Sequence, residues 1–107
     1  MGTPLDPASV IAHLGGEELL TRLGVCNFVS DDTHLSFTFV HENSKGVHSV
    51  TIETEPNGWF RMTCYGRIPP RSFRAPIIGT AKEIIPENLA TVLGNLTGLD
   101  ILHHRHF

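Results

Sequence analysis

Between Val25 and Gly66, four short runs alternate apolar and polar residues, with turn-forming clusters between them. A period of two is what a half-buried strand requires, because successive side chains leave opposite faces of the chain. Val25 to Val29 is read as the first strand, His34 to His41 as the second, Val47 to Thr54 as the third and Trp59 to Gly66 as the fourth. In the second, Leu35, Phe37 and Phe39 point one way, Ser36 and Thr38 the other. The third is expected to turn His48, Val50 and Ile52 to one face. The fourth is expected to turn Phe60, Met62 and Cys64 to the core, and Trp59, Arg61, Thr63 and Tyr65 away from it. Ser30-Asp31-Asp32 suits a turn, since short polar side chains bond back to the local backbone. Pro56-Asn57-Gly58 is the strongest hairpin signal, since Asn-Gly readily takes positive φ.

Helical patterns flank these runs. Asp6 can cap a helix that Pro7 opens, and Val10, Ile11 and Leu14 form one apolar stripe. Gly15-Gly16 breaks or weakens it. Glu17-Glu18 then suits a new N-terminus, and Gly24 a C-terminal cap. Ile77-Ile78 is read as a short strand. Thr80 to Glu83 fits a capping box, with Pro86 limiting any helix there to about one turn. Beyond Pro86, Leu89, Val92, Leu93 and Leu96 keep the i, i+3, i+4, i+7 spacing of a buried stripe that Gly98 closes. The expected fold is a two-layer α+β domain. One or two N-terminal helices precede an antiparallel meander of four to five strands, and a C-terminal amphipathic helix packs on one sheet face. The second sheet face is expected to stay partly wet. The chain is read as one domain over residues 1–107, with loose ends at 1–5 and 103–107.

The 107 residues are 40% apolar and 18% charged. That is enough for one core, with too few charges to coat the surface. Some neutral surface is therefore exposed or shared, and a homodimer is an expectation. The net charge of −3 gives no overall attraction to nucleic acid or to an anionic membrane. With no secretory pattern and no run of about 20 apolar residues, the chain is read as cytoplasmic, without a membrane partner. Cys26 and Cys64 are then read as buried free thiols, with Cys26 expected to share a face with Phe28.

Against this acidic background, Arg61, Arg67, Arg71 and Arg74 fall within fourteen residues, interleaved with Trp59, Phe60, Tyr65 and Phe73. Arginine beside aromatics binds anionic or planar partners through forked hydrogen bonds and ring stacking. Trp59, Arg61, Tyr65, Arg67, Arg71 and Arg74 are therefore the candidate binding residues. Their expected partner is an acidic protein surface or a second copy of the chain. Arg61 can also pair across the hairpin with Glu53 or Glu55, as opposite charges often do on neighbouring strands.

Catalytic signals are weak. No Walker loop, Rossmann fingerprint or nucleophile elbow occurs, and nothing calls for a cofactor. Seven histidines are unusual. In an extended tail, His104 and His106 would face one way, and His34, His41 or His48 could complete a metal site. The sequence reading is a small non-enzymatic interaction module. A histidine/carboxylate or metal-dependent enzyme is the alternative. A single-stranded nucleic-acid binder is a further one, disfavoured by charge.

Overall fold

The structure, a computed structural model, describes residues 5–41 and 43–99. Helices α1 (Pro7–Leu14) and α2 (Glu17–Arg22) come first. Strands β1 (Val25–Ser30), β2 (His34–Phe39), β3 (Ser49–Thr54), β4 (Phe60–Tyr65) and β5 (Ile77–Ile84) follow. A 3-10 turn at Pro86–Asn88 leads into α3 (Leu89–Thr97). The strands form one antiparallel meander in the order β1-β2-β3-β4-β5. This is the mixed α+β architecture that the alternating runs and flanking stripes imply.

Local chemistry accounts for the helix boundaries. The Asp6 carboxylate accepts the Ala8 amide at 3.2 Å, and Pro7 opens α1. Gly15 and Gly16 both take positive φ, so the chain leaves α1 and starts α2 as a separate helix. Val10, Leu14 and Leu20 on these helices, with Leu89 and Leu93 on α3, bury against Leu35, Phe37, Val50, Ile52 and Met62 of the sheet. Leu5 joins them at 6% exposure, its amide bonded to the Asp32 carbonyl at 2.7 Å. Leu5, expected to lie in a loose end, is therefore packed into the core, and residues 1–4 lie outside the described residues.

Three local expectations are corrected. Residues 80–83 are not a helical turn but part of β5. Ala81 faces Met62 across the ladder, and Ile84 is buried, so pairing with β4 overrides the capping-box pattern. Cys26 and Phe28 do not share a face. A bulge lies between Cys26 and Val29, with Asn27 at φ 56°, and the extra residue flips the alternation. Phe28 packs on Phe37 with ring centroids 5.7 Å apart, while Cys26 lies beside Thr38 on the opposite face. Finally, Val47 rather than His48 is buried ahead of β3. The Asn43 side chain clamps Val47, accepting its amide at 2.9 Å and donating to its carbonyl at 2.8 Å.

Both thiols are free; Cys64 is buried and Cys26 half-buried. Burial pushes the Cys64 thiol up to about 11. No helix among the described residues is long and apolar enough to cross a membrane.

Candidate functional site

The face of the sheet turned away from the helices carries three rows of side chains set by the strand register. His34, Glu53 and Arg61 are successive partners across β2, β3 and β4. Ser36, Thr51, Thr63 and Thr80 form a parallel row of hydroxyls. Thr38, Ser49, Tyr65 and Ile77 make the third.

The first row is an ion network. His34 Nδ1 lies 3.3 Å from Asp31 and its Nε2 3.2 Å from Glu53. The Arg61 guanidinium lies 3.7 Å from Glu53 and 3.8 Å from Glu55. Arg61 thus meets both carboxylates that the hairpin was expected to offer. Long pairs like these, with a half-exposed cationic partner, are worth about 0–1 kcal/mol each. Glu55 has a further task, accepting the Glu83 amide at 2.6 Å and so anchoring the end of β5.

Asp31 shapes the β1–β2 turn by accepting the amides of Thr33 at 2.9 Å and His34 at 2.8 Å. Those bonds favour the carboxylate and hold its pKa below the usual 3.8. A lowered folded-state pKa stabilises the fold above the unfolded value and stops doing so as pH falls through the folded one. Asp31→Asn keeps an acceptor oxygen but cannot ionise. Its melting temperature should fall below that of the wild type near neutrality, with the gap closing below pH 3.8. A gap that persists unchanged into strong acid would show that the charge contributes nothing.

The candidate arginines divide along β4. Trp59, 43% exposed, and Arg61 sit at the hairpin end, beside the carboxylates. Tyr65 is half-buried at the other end, about 13 Å from Arg61 at the usual strand rise. Arg67, Arg71 and Arg74 lie beyond it, exposed on the connection to β5. Among the described residues, no carboxylate comes within ion-pair distance of these three. Arg71 takes a left-handed backbone, φ 67°, and Ser72 bonds back to the Pro69 carbonyl at 3.1 Å. This turn leaves Phe73 at 99% exposure, with Ile68 at 58% and Ile77 at 64% nearby in the chain.

Two depressions adjoin these residues. A groove of about 660 Å³ runs over the outer face among Arg61, Thr63, Tyr65, Ile77, Thr80 and Lys82. A cleft of about 210 Å³ lies between His41, His48 and Arg67. Sequence reasoning did not single out Phe73, Ile68, Ile77 or Lys82 as site residues. The signal available for them was the pairing of apolar residues with arginines in a proline-stiffened loop.

Among the described residues, His34 is not brought near His41 and His48, which line one cleft. His34 begins β2, whereas His41 and His48 flank the β2–β3 connection at the opposite end of the sheet. Among the described residues, no three His, Cys, Asp or Glu side chains are grouped to hold a metal. His104 and His106 lie outside the described residues.

No protein-family model, no curated protein and no solved structure matches the chain.

Proposed function

We propose that this chain is a small non-enzymatic binding module that takes an acidic protein surface. Its working surface is the β4–β5 connection with the adjoining outer face: Arg67, Arg71, Arg74, Tyr65 and the exposed Phe73 and Ile77, with Trp59 and Arg61 at the far margin. The observation that carries the reading is the pairing on one loop of three arginines, with no carboxylate in ion-pair distance among the described residues, with a fully exposed phenylalanine. An aromatic that buries nothing in its own fold supplies contact area to a partner, and forked guanidinium groups supply orientation and early attraction.

The test uses a polyglutamate peptide as probe, followed by amide NMR shifts and by titration. Wild-type protein should shift mainly at residues 67–77. Replacing Arg67, Arg71 and Arg74 by alanine removes three exposed charges and should weaken binding about ten- to a hundredfold. The melting temperature should barely move, because these side chains are exposed. Unchanged affinity in the triple variant, or shifts confined to another face, would overturn the reading. Preference for an oligothymidylate over polyglutamate would overturn it too, in favour of nucleic acid.

A further inference from the structure

Among the described residues, charge on the strands and their turns is split along the strand axis. Residues 56–82 hold Arg61, Arg67, Arg71, Arg74 and Lys82, and no Asp or Glu. In an antiparallel meander, the β1–β2 turn, the β3–β4 turn and the end of β5 share one end of the sheet. The β2–β3 and β4–β5 connections share the other. Asp31, Asp32, Glu53, Glu55, Glu83 and Glu87 therefore gather at one end, outnumbering Arg61 and Lys82 there. Arg67, Arg71, Arg74 and Lys45 gather at the opposite end.

β5 is an edge strand. It starts at the basic end with the exposed Ile77 and Ile78, and finishes at the acidic end with Glu83. Its pairing with β4 is interrupted at two places, which leaves residues 79–81 as the regular stretch between them. Bulges and an edge lysine are devices that discourage indiscriminate strand pairing. A partner for this edge must bring more than a backbone ladder; it must bring matching charge at both ends.

We infer that the partner is a second copy of this chain, docked along β5 about a two-fold axis. Two-fold pairing of an edge strand with itself is antiparallel, so each basic end lies beside the acidic end of the other copy. Arg71 and Arg74 then face Glu83 and Glu87 of the other copy, twice over. The exposed apolar residues at the start of β5 are covered in the same contact. A two-fold contact is closed, so assembly stops at the dimer. This inference rests on the binding-surface reading and narrows its partner to the chain itself.

The experiment is a charge swap read by light scattering and sedimentation over a broad concentration range. One variant carries Arg71→Glu with Arg74→Glu, the other Glu83→Arg with Glu87→Arg. Wild-type protein should be a dimer that weakens with salt. Each variant alone sets like charges against each other, and its dimer dissociation constant should rise about tenfold or more. An equimolar mixture restores opposite charges at both contacts and should recover the dimer, which also demonstrates that both variants are folded. Three results overturn the inference: a wild-type monomer throughout, variants that dimerise as tightly as wild type, or a mixture that stays monomeric. Mass growing beyond the dimer also overturns it, in favour of head-to-tail assembly. A wild-type monomer whose loop still shifts with polyglutamate defeats the second-copy inference alone. Loss of both defeats the binding surface itself.

Discussion

Phe37→Ala should lower the unfolding free energy by about 3–5 kcal/mol, a large share of the roughly 5–15 kcal/mol that holds a domain together. Phe37 is 1% exposed and sits in the middle strand of the β1-β2-β3 half of the sheet, opposite Val50. Its ring meets Phe28 at 5.7 Å and the edge of Phe39 at 5.9 Å, so truncation removes two aromatic contacts and opens a cavity between sheet and helices. Neighbouring strands hold that cavity open, since β2 is paired on both sides and cannot move in to fill it. Urea denaturation followed by circular dichroism measures the loss. Phe73→Ala is the matched control. It removes the same side chain from a site that is 99% exposed and should change stability by less than about 0.5 kcal/mol. A loss below about 1 kcal/mol at Phe37, or comparable losses at both positions, would mean that the aromatic cluster is not the centre of the core.

That pair of variants also marks the boundary of what the sequence makes legible. Phe37 could be placed inside because Leu35, Phe37 and Phe39 recur with a period of two, and burial follows directly from that period. Where a bulge adds a residue, the period carries no such information. Asn27 at positive φ separates Cys26 from Phe28, and the twin interruptions of β5 hide a strand behind what looks like a helix cap. Positive φ at Glu83 is a tertiary outcome that its residue type does not announce, and Asn27 tolerates positive φ without the sequence marking a bulge there.

The candidate surface was partly legible for the same reason. The Asn-Gly hairpin fixes Arg61 opposite Glu53, so that ion pair could be anticipated from hairpin geometry. The segregation of charge to opposite ends could not. It depends on which turns share an end of the sheet, and that requires all five strands and their order. Phe73 illustrates the remaining gap: an aromatic in a loop is read as packed or exposed with equal ease until the course of the loop is known.

The second large effect is expected at Gly98, where backbone and packing both forbid a side chain. Gly98 ends α3 at φ 76°, and its amide bonds to the Gly94 carbonyl at 2.8 Å. Glycine adopts this left-handed conformation freely, while other residues lose roughly 1–2 kcal/mol. A Cβ here would also collide with the Ser44 hydroxyl and crowd the Ser44 Cβ, on the β2–β3 connection. Gly98→Ala should therefore cost about 2 kcal/mol, and Gly98→Val more, because β-branching tolerates the left-handed region least. The helix cannot readily slide to relieve the contact, since Leu89 and Leu93 fix it in the core and Thr97 is buried with its hydroxyl donated to the Leu93 carbonyl. Ser44→Ala in the Gly98→Ala background removes the colliding hydroxyl but leaves the backbone strain. Partial recovery of the melting temperature in that double variant would separate the two contributions. Full recovery would assign the whole cost to the contact between α3 and the β2–β3 connection, and no recovery would assign it to the backbone alone.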